Sequence, residues 1–222
     1  MDKLGIKIEY IFNSGFTVET KNHFLIFDYY KGDISFSDKK TTVFVSHGHG
    51  DHYNPEIFNF EGNIDYVISD DLKVEQKVNY VKPGSELKLN DINIKVFGST
   101  DLGVSFLISV DDLNIFHAGD LNWWYWENDS DQEKSDMEKQ FKNEINKIKG
   151  NNIDLAFFPV DPRLGEAFSK GGEYFIDAIS PKYFVPMHFG DNYDATTNFI
   201  HKMKGSSCTI SEIKNKNQVI SI

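Results

Sequence analysis

Four things are scarce in this sequence, and each scarcity narrows what the chain can do. There is one cysteine, Cys208, so no internal disulfide and no cysteine-based zinc site can form. There is one arginine, Arg163, so bidentate capture of a carboxylate or phosphate by a guanidinium has a single candidate. Apolar runs are short, and none approaches the roughly 18 residues that a membrane span needs. Positive charge is also in deficit, with 23 Lys and Arg against 34 Asp and Glu and a net charge of −11. Nonspecific binding to nucleic acid or anionic lipid needs a basic surface, so neither is expected as a partner. Met1-Asp2-Lys3-Leu4-Gly5 lacks the basic start and apolar core of a signal peptide, and the expected location is cytoplasmic. No repeat or low-complexity linker divides the 222 residues, so one domain over 1–222 is expected.

Against that background one stretch stands out: Thr42-Val43-Phe44-Val45-Ser46-His47-Gly48-His49-Gly50-Asp51-His52. Val43-Phe44-Val45 is short, apolar and β-branched, and it reads as a buried strand. Three imidazoles and a carboxylate follow it, the donor types that Zn, Fe, Mn and Ni accept. Gly48 and Gly50 are expected to take positive φ and so aim the neighbouring side chains at one point. Asn54-Pro55-Glu56 then reads as a helix start, with Asn54 as cap and Pro55 in the first position.

The N-terminal third alternates as an antiparallel meander. Leu4, Ile6, Ile8 and Tyr10 share one face, Asn13-Ser14-Gly15 turns into a strand over 16–20, and Lys21-Asn22 turns into another over 23–28. A strand is expected at 66–69, and a second meander over 92–97, 104–108 and 113–116, with Asp111-Asp112 as a hairpin turn. Met137, Phe141, Ile145 and Ile148 are spaced by three or four, which predicts an amphipathic helix over 131–149 stopped at Gly150. Strands at 153–158 and 183–187, helices near 173–179 and 195–203, and short strands in 208–213 and 218–222 complete the chain. This order predicts an α/β protein of two mixed sheets with helices packed outside.

Three apolar runs end in metal-donor residues. Val43-Phe44-Val45 leads to His47, His49, Asp51 and His52; Leu113-Asn114-Ile115-Phe116 to His117 and Asp120; Tyr183-Phe184-Val185-Pro186-Met187 to His188 and Asp191. Loops beyond strand ends are where α/β proteins place their sites, so a metal centre assembled from distant segments is expected.

His47-Gly48-His49-Gly50-Asp51-His52 matches an HxHxDH signature behind an apolar strand. With Phe116-His117-Ala118-Gly119-Asp120 and the later His188, the chain resembles the metallo-β-lactamase-fold superfamily of metallohydrolases over nearly its full length. Within it, the chain looks most like the small bacterial hydrolases related to ascorbate-6-phosphate lactonase. The resemblance implies a four-layer αββα sandwich and a metal-dependent hydrolase with a dinuclear site. His47 and His49 would hold one ion, Asp51, His52 and His188 the second, with Asp120 bridging. Asp51 would also be catalytic, orienting a hydroxide held by the ions and moving its proton. Zinc is expected as one or two ions, with Mn or Fe as alternatives.

One part of the pattern is missing. The family's third His on the first ion precedes the strand that begins at Val104, where Phe97-Gly98-Ser99-Thr100-Asp101-Leu102-Gly103 holds no His. Asp101 is the candidate replacement, an oxygen donor suited to a harder ion; its other reading is a turn residue beside a weak or empty first site. His117 is expected to support the donors rather than join them. His23 and His201 read as surface or boundary residues, and Asp191 as support or a helix cap. Some of Trp123-Trp124-Tyr125-Trp126, with Trp123 and Trp124 named first, are expected to line the pocket mouth and touch substrate; the other reading is a packed loop or an oligomer contact. Arg163 is expected to hold an anionic substrate, or else to pair with Asp161 or Glu166. The expected substrate is small and anionic, cleaved at a lactone, ester, amide or phosphodiester. The rivals are a binding protein that has lost hydrolysis and an iron-dependent oxidoreductase, with an RNA-processing role a poor second given the charge.

Overall fold

The alternation in the sequence becomes two sheets. In chain order the strands are β1 (Lys7–Phe12), β2 (Gly15–Glu19), β3 (His23–Phe27), β4 (Lys40–Val45), β5 (Ile64–Ser69), β6 (Asn79–Val81), β7 (Glu86–Leu89), β8 (Ile92–Gly98), β9 (Val104–Val110) and β10 (Leu113–His117). There follow α1 (Asp131–Ile148), β11 (Leu155–Pro159), α2 (Lys170–Ile179), β12 (Tyr183–Met187), α3 (Asp194–Lys202), β13 (Thr209–Ile210) and β14 (Val219–Ser221). These come from a computed structural model that describes residues 4–222; Met1, Asp2 and Lys3, part of the stretch read for a leader, lie outside the described residues. Among the described residues no helix is long and apolar enough to cross a membrane.

The first sheet runs β14-β1-β2-β3-β4-β5-β6 and the second β13-β12-β11-β10-β9-β8-β7. Each is antiparallel in one half and parallel in the other: β3, β4, β5 and β6 run parallel, as do β10, β11, β12 and β13. The meander expected to lead into β4 therefore ends at β3. β6 and β7 were not legible in the sequence. Each is an outermost strand, of three and four residues, with mostly exposed or half-exposed side chains, so little length and little burial mark it.

Alternation sends side chains to opposite faces, and both faces of the first sheet are covered. Leu25, Phe27 and Phe44 enter the core between the sheets. Phe24, Ile26, Val43 and Val45 face outward, under a 3₁₀ turn at Pro55–Asn59 that buries Ile57. Asn54 caps that turn as expected, accepting from the Glu56 N–H at 2.9 Å. The α-helices cover the second sheet. Phe141, Ile145 and Ile148 of α1 and Phe175 of α2 are fully buried, and Phe199 of α3 packs on Phe184 of β12 at 5.1 Å. A capping box starts α1, with Ser130 and Glu133 each accepting the other's backbone N–H. α2 begins before its expected start at Glu173. Gly171 and Gly172 read as breakers, but they let the helix pack tightly: a Cβ on Gly171 would lie 2.0 Å from Asn122 Oδ1.

At one end of the stacked sheets, turns lock together. Asp111 accepts from Thr20 Oγ1 at 2.6 Å and from the Asn22 N–H at 2.8 Å. His23, read as a surface or boundary residue, is 2% exposed with Nε2 3.0 Å from Asp91. At the other end lie the C-terminal ends of the parallel strands β3, β4, β10, β11 and β12, where a rigid sheet delivers side chains to one place.

Candidate metal centre

The loop after β4 is a single tight turn. The N–H groups of His52 and Tyr53 both donate to His49 O, at 3.0 and 3.1 Å. Gly48 and Gly50 do not take the positive φ expected of them; Gly48 instead gives its N–H to Asp71 Oδ2 at 2.9 Å. Glycine is required elsewhere. Gly103, at φ +74°, would place a Cβ 2.1 Å from Ser46 O, and Gly119, at φ +53°, would place one 2.7 Å from Val104 O. These two close approaches bring the start of β9 and the loop after β10 against Ser46, so that Asp120 meets His47.

Two donor groups result: His47, His49 and Asp120, and Asp51, His52 and His188, each with its donor atoms within 4.8 Å of one another. Asp120 stands between them. Its Oδ2 is 3.4 Å from His47 Nε2, and its Oδ1 is 3.1 Å from His52 Nε2 and 3.2 Å from His188 Nε2. These approaches are close but badly directed for hydrogen bonds. All three Nε2 atoms and Asp120 Oδ1 are buried without a hydrogen-bond partner. Four such atoms facing one point are costly to desolvate, and imidazole nitrogen with carboxylate oxygen is the donor chemistry of borderline divalent ions. The residues fit a metal.

The far sides of the rings are held. His52 Nδ1 lies 2.8 Å from Asp28 Oδ2, and His188 Nδ1 lies 3.0 Å from Asp161 Oδ2. His47 Nδ1 lies 3.0 Å from Ser46 Oγ, which itself donates to Asp28 Oδ2 at 2.6 Å. A ring that donates from Nδ1 keeps the Nε2 lone pair for the centre. Asp28 and Asp161 are fully buried. Sequence reasoning missed Asp28 and named Asp161 only as a partner for Arg163, although each ends an apolar strand run, Phe24-Leu25-Ile26-Phe27 and Phe157-Phe158-Pro159-Val160. Asn13 was also missed as a site residue. Its Nδ2 donates to Asp51 Oδ2 at 3.1 Å, and its carbonyl accepts from the His188 N–H at 3.1 Å. That bond helps hold His188 at φ 66°, a left-handed backbone costing about 1–2 kcal/mol.

Electrostatics follow the geometry. Burial pushes His52 and His188 down, but Asp120 in front and Asp28 or Asp161 behind outweigh it, raising them to about 10 and about 9. Burial pushes Asp120 up, and the facing imidazoles reverse this, holding it well below the carboxylate range. The field that keeps protons on these rings also attracts a cation, whose uptake displaces them.

The remaining expected site residues divide. His117 joins neither donor group; its Nε2 lies 3.0 Å from Ser14 O, its Nδ1 accepts from the Gly119 N–H at 3.2 Å, and its ring stacks on Phe27. Asp101, the candidate replacement for the absent His, lies outside both groups, half-exposed, with Oδ2 3.9 Å from His49 Nδ1. Its N–H bonds to Ser99 Oγ at 3.2 Å in the turn between β8 and β9, which keeps it on the cavity wall. That cavity, about 520 Å³, has Asp51, Asp120 and His188 in its lining. Trp124 lines it, edge-on to His188 at 5.4 Å. Trp123 does not: successive residues diverge, and its ring packs between Phe141 and Tyr174 while Trp126 takes the place at the mouth. Arg163 pairs with Asp161, Nε at 2.9 Å and an NH2 at 2.5 Å, as its other reading expected, and it also lines the cavity. Asp191 is exposed near Lys216, and His201 is exposed on α3.

Residues 7–188 match the family model described as beta-lactamase superfamily domain. The UPF0173 metal-dependent hydrolase YtkL of Bacillus subtilis (strain 168) is 27% identical over 217 residues, covering 83% of this chain and 86% of its own. Among solved structures, Igni18, a novel metallo hydrolase from Ignicoccus hospitalis KIN4/I, matches with a TM-score of 0.67 at 14% identity over 98% of both chains. CmlA, a diiron beta-hydroxylase from Streptomyces venezuelae, matches all of this chain and 55% of its own, with a TM-score of 0.64 at 10% identity. At those identities the structures show the fold. From its family match and its two stacked mixed sheets, the chain belongs to the beta-lactamase superfamily and has the metallo-β-lactamase fold.

Proposed function

We propose that this protein is a metal-dependent hydrolase that cleaves a lactone, ester, amide or phosphodiester in a small molecule carrying an anionic group. The observation that carries this is the set of four buried, unpartnered donor atoms on His47, His52, His188 and Asp120 beneath an open cavity. His47, His49 and Asp120 suit one ion, Asp51, His52 and His188 a second, with Asp120 between them. Four imidazoles with two carboxylates favour zinc, and manganese or iron also suit the set. A divalent ion held there supplies Lewis acidity and a water of lowered pKa.

The chain's own residues do the rest. Asn13 anchors one oxygen of the half-exposed Asp51, leaving the other to orient water and accept its proton. Asp161 fixes one edge of the Arg163 guanidinium, whose side chain is 60% exposed and offers its remaining donors to a carboxylate or phosphate. Trp124 donates Nε1–H to Asp120 O at 3.0 Å and shields the centre from bulk water on that side.

The test is elemental analysis of protein purified without chelator, followed by a panel of esters, lactones and phosphodiesters. About two equivalents of metal per chain are expected, with hydrolysis lost to a chelator and restored by zinc. No metal and no uptake of Zn, Mn or Fe would sink the reading. Iron in the protein together with O₂ consumption would favour oxidation, the chemistry named for CmlA.

A further inference from the structure

We propose that Asp101 is a further donor to the first ion, closing on it beside His49 when it binds, and that the two ions are held unequally. The ion on Asp51, His52 and His188 is taken first and kept; the ion on His47, His49 and Asp101 is taken second and exchanges. The proposal rests on the metal-dependent reading of the centre and adds to it one ligand and an order of filling.

The two donor groups are supported differently. In the second, His52 and His188 are both buried, and each has a buried carboxylate behind it, Asp28 and Asp161. In the first only His47 is buried among the two imidazoles, and its ring rests on a hydroxyl, Ser46 Oγ. The His49 side chain is 48% exposed, and its ring makes no hydrogen bond among the described residues. A carboxylate behind an imidazole orients the ring and raises its basicity, so the second group holds its ion more tightly. Counting the shared Asp120, the second group brings four donors and the first only three. Divalent ions of this kind bind four or more, so the first ion has a position open on its exposed side.

The fold brings one more oxygen to that side. Asp101 lies in the turn between β8 and β9, and both shoulders of the turn are tied to the segments that carry the first group. On one shoulder Thr100 Oγ1 donates to Asn122 O at 2.6 Å and accepts from the Asn122 N–H at 3.0 Å, two residues beyond Asp120. On the other the Val104 N–H donates to Ser46 O at 3.0 Å, one residue before His47. Asp101 is therefore held between the His47 and Asp120 segments, on the wall of the cavity that His49 and Asp120 also line. Its carboxylate makes no hydrogen bond among the described residues, and its Oδ2 stands 3.9 Å from His49 Nδ1. Two donors about 2.1 Å from one ion lie about 3.0–3.4 Å apart at tetrahedral or octahedral angles. Both side chains are half-exposed and free to close that difference. The fully buried His47 Nε2, without a partner, faces the same ion from below. Two imidazoles with two carboxylates make this position more tolerant of manganese than a site with a third imidazole.

The test is calorimetric titration of chelator-stripped protein with Zn²⁺ and, separately, with Mn²⁺. Wild type should show two steps of about one equivalent each. Asp101→Ala should keep the tighter step and weaken the other by about 100-fold or more, since losing a ligand costs at least what losing the partner behind one does. Asp101→His, which puts an imidazole in that place, should tighten the weaker zinc step and loosen the weaker manganese step. Asp101 is half-exposed, so the stripped variants should unfold at the wild-type temperature, which separates ligand loss from damage to the fold. Asp101→Ala with both steps intact, or with only the tighter step weakened, overturns the proposal and leaves the hydrolase reading standing. A wild type that takes a single equivalent also overturns it and leaves a one-ion hydrolase. No uptake of either metal would sink both.

Discussion

Asn at position 28 would keep the shape of Asp28 and remove its charge. The backbone there has φ 42°, which Asn tolerates. Oδ1 of Asp28 accepts from the Ser46 N–H at 2.7 Å, while Oδ2 accepts from Ser46 Oγ at 2.6 Å and from His52 Nδ1 at 2.8 Å. An amide has one oxygen, so either orientation turns an NH₂ toward a buried donor. That costs about 1–3 kcal/mol, or a fall in Tm of roughly 2–12 °C for a chain of this size. The larger effect falls on the metal. The carboxylate orients His52 directly and His47 through Ser46, so affinity should drop about 10- to 100-fold. Competition against a chromophoric chelator reads the affinity, and thermal unfolding of chelator-treated protein reads the stability separately. A lowered Tm with wild-type metal affinity would show that Asp28 only holds the fold. Ser46→Ala should weaken metal binding less, since it breaks the path to His47 and leaves the His52 contact.

Asp51→Asn should lower kcat by about 100-fold or more even at saturating metal, because the proton acceptor is gone; near-normal turnover would remove Asp51 from the chemistry. In chelator-stripped protein, His52 and His188 carry folded pKa values of about 10 and about 9 against an unfolded 6.5. Raised values mean the folded chain binds extra protons, so their contribution is complete below about pH 6.5 and is lost as pH rises through about 9 and 10. A Tm series over that range checks this, and a Tm that rises refutes it. Gly103→Ala forces a Cβ to 2.1 Å from Ser46 O at a left-handed position. Overpacking there should cost about 1–3 kcal/mol beyond the backbone penalty, and an unchanged denaturation midpoint would contradict the close approach.

Most strands and all three α-helices could be read in the chain, because burial of one or both faces leaves a period in the residues. Phe141, Ile145 and Ile148 mark α1 that way, and Val43-Phe44-Val45 marks β4. The outermost strands β6 and β7 bury too little to leave such a mark. The candidate donors His47, His49, Asp51, His52, Asp120 and His188 were legible for a related reason. Each follows an apolar run by one to seven residues, and a strand end is a local feature. What lies behind those donors was not. Asp28 and Asp161 look in sequence like many acids at strand ends, and the sheet order that seats them behind His52 and His188 joins segments 24 and 27 residues apart. The same holds for the aromatic run, where backbone geometry after Asp120 turns Trp123 into the core and Trp124 toward His188. The need for glycine at 103 and 119, rather than at 48 and 50, likewise comes from how closely two strands approach Ser46. Local sequence thus determined the elements and the chemical type of the centre. Only the packing of the two sheets decided which groups hold the donors, because contacts between distant segments depend on sheet order and register that no single stretch encodes.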